Sequence, residues 1–268
     1  MKKTKWIISI ILIVVGICII LYPEVSNSLS KRNQTEIIKK YREDVLNIDN
    51  EEIDLQYKKA KEYNAEINGN SINNIDDYNN ILNLSNDGIM SYIEIPKISV
   101  RLPIYHGTTD EVMKKGVGHI KNTSLPIGGE NTHCVLTGHT GLSRAEIFTR
   151  LNELEVNDIF YINTLNEQLI YKIYQTKVVL PTELEDLKII EGKDLVTLVT
   201  CTPYGINTHR LLVQGERIES YEEKGQEAEE KNNENIDKNI IYFIILLMII
   251  FCCILLNKIV KYIHRKYG

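Results

Sequence analysis

The sequence predicts a mainly β fold, a barrel or sandwich with short helices, preceded by N-terminal helices and flanked by two transmembrane helices. Three patterns carry that prediction. From Gly88 onward β-branched runs alternate with turn signals, and residues 88–141 hold eight of the 15 glycines. Between residues 30 and 67 apolar side chains recur at helical spacing. At each end of the chain lies an uncharged, almost wholly apolar run. With 268 residues, 43% apolar and 25% charged, the chain can bury a sizeable core. That balance excludes a wholly disordered, collagen-like or disulfide-scaffold protein.

The end runs are read as membrane spans. Residues 6–23 carry no charge and follow Lys2, Lys3 and Lys5; residues 239–257 are also uncharged and precede Lys258, Lys261, Arg265 and Lys266. Each run makes roughly 25 Å of helix, close to the thickness of a bilayer core. A cleaved signal peptide is the alternative for the first run, but Ser26-Asn27-Ser28 is a poor cleavage site. Both basic clusters lie on the terminal sides, so the positive-inside rule puts both termini in the cytoplasm and the middle outside. Residues 1–22 and 240–268 hold seven of the 31 basic residues and no acidic one, so the middle carries 24 basic and 36 acidic side chains, a net −12. The whole chain, at −5, is too acidic to suggest a nucleic-acid partner. The expected divisions are a cytoplasmic tail and first span at 1–23, a helical linker and covering segment at 24–87, a β domain at 88–218, a polar tether at 219–238, a second span at 239–257 and a basic tail at 258–268.

Within the linker, Ile37, Ile38, Tyr41 and Val45 mark one helix. Ile53, Tyr57, Ala60 and Asn64 mark another after a break near Asp49-Asn50. Residues 64–86 contain nine asparagines and few apolar anchors, which predicts a mobile loop that covers part of the body. Strands are expected at 92–100, 134–137, 160–162, 168–179, 195–201 and 211–218, with short helices near 110–115 and 145–151.

Chemistry concentrates at the end of one strand. Cys201 closes the run Leu195-Val196-Thr197-Leu198-Val199-Thr200, and Pro203 and Gly205 stop it. Arg210 opens the next run after eight residues. Paired as an antiparallel hairpin, the two would sit side by side at a sheet rim, where a guanidinium favours a thiolate and faces an oxyanion. His139, flanked by Gly138 and Gly141 after a strand, supplies a proton carrier. Taken singly each has a plainer reading: a buried small side chain for the cysteine, a structural ring for the histidine, a surface charge for the arginine. His106, His119, His133 and His209 read as structural. His133, Cys134, His139 and Cys201 lack metal-ligand spacing, so no metal or cofactor is expected. Cys134 and Cys201 are too few for a disulfide framework.

Thr197-Leu198-Val199-Thr200-Cys201 resembles the Thr-Leu-x-Thr-Cys signature of the sortases, cell-surface transpeptidases of Gram-positive bacteria. Leu136-Thr137-Gly138-His139 and Arg210 sit where that family places its histidine and arginine. Ile93-Glu94-Ile95-Pro96-Lys97-Ile98, Leu102-Pro103-Ile104-Tyr105-His106-Gly107-Thr108, Gly116-Val117-Gly118-His119 and the string from Cys201 to Arg210 are similar to the class C, pilin-polymerising subgroup. A second C-terminal span is typical of it.

The resemblance implies a closed sortase-type β-barrel and a cysteine transpeptidase that cleaves a Leu-Pro-x-Thr-Gly-like sorting signal between Thr and Gly. Cys201 would be the nucleophile, His139 the acid/base and Arg210 the stabiliser of the oxyanion. The partners implied are surface proteins or pilin subunits bearing the signal, and an amine acceptor, a pilin lysine or a cell-wall peptide. The lid of that subgroup carries Asp-Pro-aromatic; here the stretch has no proline, and Asp76-Asp77-Tyr78 offers only an acid and an aromatic. The rival readings are a cell-wall-anchoring sortase, a surface cysteine protease and a non-enzymatic two-anchor receptor or assembly factor.

Overall fold

The computed structural model describes residues 2–69, 77–141 and 146–220. Eight strands close into a barrel in the order β1-β2-β3-β4-β7-β8-β6-β5. They are β1 (Ile89–Ile95), β2 (Val100–His106), β3 (Val117–His119), β4 (Thr132–Thr137), β5 (Ile159–Thr164), β6 (Glu167–Val179), β7 (Asp194–Thr202) and β8 (His209–Ile218). The β2–β3 and β4–β7 pairs are parallel and the other six antiparallel. Closure leaves no free sheet edge and disposes of the sandwich alternative.

The single strand expected at 92–100 is two. Pro96 has no amide hydrogen to donate to a ladder, and Pro96–Ile98 forms a 3-10 turn that ends at Ser99 with φ +52°. Strand β2 contains Pro103 and β3 has only three residues, so neither carries a strand-like periodicity. The helix at 110–115 is present as α3 (Asp110–Lys115), begun by Thr109, whose hydroxyl accepts from the Val112 amide. No helix forms over 146–150. There the Phe148 amide donates to the His139 carbonyl, and a short 3-10 turn follows at Leu151–Glu153.

Before the barrel, α1 (Lys2–Asn47) and α2 (Asn50–Asn68) are separated by a break at Asp49, whose carboxylate caps the Glu51 amide. Helix α1 buries Ile38, Tyr41 and Val45 against β1 and β2, through a cluster with Ile89, Tyr92 and Tyr105. The Tyr41 hydroxyl donates to the Met90 carbonyl and accepts from the Leu165 amide. Helix α2 turns Ile53, Ala60 and Tyr63 into the main core.

Two flanking membrane helices find no support here. Among the described residues no helix is long and apolar enough to cross a membrane. The first apolar run does not end as a separate element, because α1 continues through Pro23 into the charged sequence beyond. Residues 221–268, which hold all but the first two residues of the tether, the second apolar run and the basic tail, lie outside the described residues.

The asparagine-rich segment also departs from expectation. Residues 77–88 are not a mobile cover. Tyr78, Ile81 and Leu82 are buried, Tyr78 at 3% exposure. The Tyr78 hydroxyl donates to His119 Nδ1 (2.8 Å) and accepts from the Gly107 amide (3.0 Å). The Gln56 carboxamide accepts from the Leu82 amide (2.7 Å), and His106 Nε2–H donates to the Ile81 carbonyl (2.7 Å). Several asparagines tie the backbone instead of loosening it. Asn64 accepts from the Leu125 amide (2.7 Å) and donates back to its carbonyl, and Asn83 accepts from the Gly88 amide. Residues 70–76 lie outside the described residues.

Candidate active site

Alternation along a strand sends successive side chains to opposite faces. On β7, Val196, Leu198 and Thr200 face the barrel interior, while Thr197, Val199 and Cys201 face outward. The outward set is not simply solvated. Val199 packs with Val135, Val179 and Leu212 in a small cluster against which Leu187 lies. Beside it, His133 Nδ1–H donates to the Lys188 carbonyl (2.7 Å), and its Nε2 accepts from the Thr197 hydroxyl (2.7 Å). The Gln214 amide donates to the Asp186 carbonyl (2.8 Å). The β6–β7 connection, residues 180–193, thus roofs this outer face over its inner half. Cys201 and Arg210 emerge beyond the roof, both half-buried.

Within the hairpin the register pairs Cys201 directly with Arg210 and Thr202 with His209. Directly opposed residues share a face, their Cβ atoms about 5 Å apart. Arg210 Nη1 donates to the Asn207 carbonyl (3.1 Å) and to the His209 carbonyl (3.0 Å), which orients the guanidinium from within its own loop. Among the described residues no carboxylate pairs with it.

His139 comes from the strand on the other side of Cys201. Strand β4 runs parallel to β7 with Thr137 opposite Val199. The ladder continues one step, since the Gly138 amide donates to the Val199 carbonyl (3.1 Å) and the Thr200 hydroxyl to the Gly138 carbonyl (2.8 Å). His139 follows at the register level of Cys201, where its backbone turns out of the ladder and its carbonyl accepts from the Phe148 amide. Cysteine therefore has arginine on one side and histidine on the other, along one rim.

The glycines around His139 have identifiable reasons. A Cβ on Gly138 would lie 2.7 Å from Phe148 and 2.8 Å from Ile147. Gly141 has φ +76°, and a Cβ there would meet the Tyr204 ring at 2.7 Å. Tyr204 belongs to the β7–β8 loop, so the histidine turn and the cysteine loop pack on each other.

The remaining candidates fall into structural places. Cys134 is buried and faces the core, where burial pushes its thiol well above the ordinary range. His119 is fully buried; its Nε2–H donates to the Ser124 carbonyl (2.9 Å), and desolvation lowers it to about 4. His106 and His133 are lowered by burial as well. His209 is paired with Thr202 on the face opposite Cys201, and its Nδ1 lies 2.9 Å from the Thr208 hydroxyl. His133, Cys134, His139 and Cys201 do not converge, and among the described residues no group of His, Cys, Asp or Glu is placed to hold a metal. Sequence reasoning gave no role to Thr200 or Phe148. The first is visible only as part of the Thr-x-Thr-Cys string, and the second only through the chain fold.

A barrel rim that sets a thiol between a guanidinium and an imidazole defines a thiol acyl-transfer protein. Residues 93–218 match the model of the sortase domain. The chain is 42% identical to sortase C1 from Streptococcus agalactiae, with a TM-score of 0.67, covering 69% of this chain and all of that one. A structure of Clostridium perfringens sortase C with the C-terminal cell wall sorting motif is 47% identical, with a TM-score of 0.64 over 69% of this chain and all of that one. Among curated proteins, sortase D of Bacillus subtilis (strain 168) is 34% identical over 129 residues, 47% of this chain and 62% of its own length. The chain belongs to the sortase family, the cysteine transpeptidases, and these structural neighbours are class C sortases.

Proposed function

We propose that the chain is a membrane-anchored class C transpeptidase that cleaves a Leu-Pro-x-Thr-Gly-like signal between Thr and Gly and transfers the acyl group to a pilin lysine. The observation that carries the reading is the rim itself, Cys201 opposed to Arg210 with His139 one register step beyond β4. The Cys201 thiolate adds to the threonine carbonyl carbon, and the Arg210 guanidinium faces the oxyanion. Collapse breaks the C–N bond to glycine as His139 gives its proton to the leaving amine, leaving a thioester. An incoming amine adds to that thioester and yields its proton to His139, and the C–S bond breaks to return the Cys201 thiolate and release the acyl group as an amide.

Apolar side chains are exposed next to the rim, where a Leu-Pro segment needs them. Leu180 and Leu184 follow Val179, which pairs with Arg210, while Tyr204 and Ile206, both 67% exposed, stand on the β7–β8 loop. The Clostridium perfringens sortase C structure with the C-terminal cell wall sorting motif supports a sorting signal as the substrate class. The two apolar runs with terminal lysines support anchoring in this reading, with both termini in the cytoplasm and the barrel outside, beside substrates that are themselves tethered.

The test incubates the full-length chain with a sorting peptide and either a lysine-bearing pilin domain or a cell-wall peptide amine. Isopeptide product with the lysine is expected. Product only with the wall amine would make it an anchoring sortase, and hydrolysed peptide alone a protease. Protease added to intact protoplasts should remove the barrel, and protection would overturn the topology.

A further inference from the structure

We infer that Asn27, on α1, is a positioning residue for His139, so that the N-terminal helix sets the reactivity of the site. The inference rests on the catalytic reading of His139. Beyond Gly138 the His139 backbone leaves the β4–β7 ladder, and its carbonyl is held by the Phe148 amide (3.0 Å). Phe148 and Ile147 are fully buried against Gly138. The returning limb of the histidine loop therefore determines where the imidazole stands. Two residues before Phe148, the Glu146 amide donates to Asn27 Oδ1 (3.0 Å), and the Glu146 carboxylate lies 3.5 Å from Lys31 Nζ. Asn27 and Lys31 are four residues apart, on one face of α1. That helix is in turn fixed to the end of α3 by buried Gln34, whose side-chain amide donates to the Lys115 carbonyl, and to the barrel by Tyr41.

Both contacts at Glu146 are exposed. Water can satisfy the Glu146 amide, and an exposed ion pair contributes little to stability. Their consequence is geometric: they join the histidine loop to a helix that the barrel already holds. Sub-ångström placement of an acid/base weighs heavily on rate and hardly at all on folding.

The experiment uses the full-length chain as wild type, Asn27→Ala and Asn27→Asp, the last keeping an acceptor oxygen. Three quantities are measured: kcat and KM with a Leu-Pro-x-Thr-Gly peptide, Tm, and the pH profile of Cys201 alkylation by iodoacetamide, which needs no peptide. Asn27→Ala should lower kcat about tenfold, leave KM within about twofold, leave Tm unchanged, and displace the alkylation midpoint, because the imidazole beside the thiol has moved. Asn27→Asp should restore both kcat and the midpoint. An unchanged alkylation profile in Asn27→Ala, or a loss that tracks a fall in Tm and is not rescued by Asn27→Asp, would overturn the inference. A wild type that never turns over the peptide would refute the proposed function, and the alkylation profile would still decide the role of Asn27.

Discussion

At the scale of single residues, the structure separates two cysteines that composition leaves alike. Cys134 is sealed in the core and Cys201 stands at the rim, so Cys201→Ala should abolish cleavage and conjugation. Cys134→Ala should cost about 1 kcal/mol of stability and little activity. An essential Cys134 with a dispensable Cys201, read from activity and Tm, would reverse the assignment. Arg210 tests the electrostatic role. Lysine keeps the charge but lacks the planar fork, so Arg210→Lys should lower kcat/KM on the order of 10²-fold, with Arg210→Ala lower still. Because Nη1 also holds the Asn207 and His209 carbonyls, Arg210→Ala should soften the β7–β8 loop without unfolding the barrel. Normal turnover in a folded Arg210→Ala protein would remove it from the site. The Cys201–Arg210 pairing was legible because two β-branched runs eight residues apart can hardly avoid a hairpin. His139 was marked by its glycine-flanked turn, but it stands 62 positions before Cys201 and only the parallel β4–β7 register joins the two. The resemblance to a family added to that local reading.

Elements show where sequence pattern loses its grip. Strand β2 was hidden by Pro103 and β3 by its three-residue length, and the barrel closes only through both. The asparagine-rich stretch was misread because composition reports local turn chemistry, whereas its anchoring is non-local. Tyr78 sits against Tyr63, His106 and His119, with the Lys121 ammonium 5.6 Å from its ring centre. His119 pairs with Leu136, three residues short of His139, so this anchor lies about 10 Å along the strand from the rim. Tyr78→Ala should therefore destabilise the protein by about 3–5 kcal/mol. Tyr78→Phe should cost about 1–3 kcal/mol, by stranding His119 Nδ1 and the Gly107 amide. Denaturant unfolding measures both, and an unaffected midpoint in Tyr78→Ala would show that the segment is not held. Gly138→Ala probes the other loop. Its methyl would enter the space of Phe148 and Ile147, costing about 1–3 kcal/mol and displacing His139, with a fall in kcat larger than that in Tm implies.

For the molecule as a whole, buried histidines make stability depend on acidity. His119 takes a proton near pH 6.5 when unfolded and only near 4 when folded, so the unfolded chain binds more protons across that window and stability falls as pH falls. From pH 7 to pH 5 this residue alone removes about 2 kcal/mol. His106 and His133, lowered by the same desolvation, act in the same direction, while Asp194, raised by burial, acts against them. Thermal melts should show Tm dropping between pH 7 and 5, with a shallower drop in His119→Gln; a flat profile would contradict the buried neutral imidazole. The mainly β character, the helical pair and the Cys201–Arg210 hairpin pairing were all readable in the chain, since each rests on periodicity or a short motif. Barrel closure was expected only through the resemblance, because β1 and β5 pair across a long stretch of chain, and the docking of α1 on the histidine loop was not readable at all, because it rests on contacts more than a hundred residues apart. The central claim is that Cys201 carries the acyl group. Intact-mass and peptide-mapping spectrometry of the full-length chain, quenched with acid during turnover of a Leu-Pro-x-Thr-Gly peptide, tests it most directly. A thioester adduct mapped to Cys201, absent from Cys201→Ala and present in Cys134→Ala, is the predicted result. Turnover with no adduct on Cys201, or with an adduct on another residue, would contradict it.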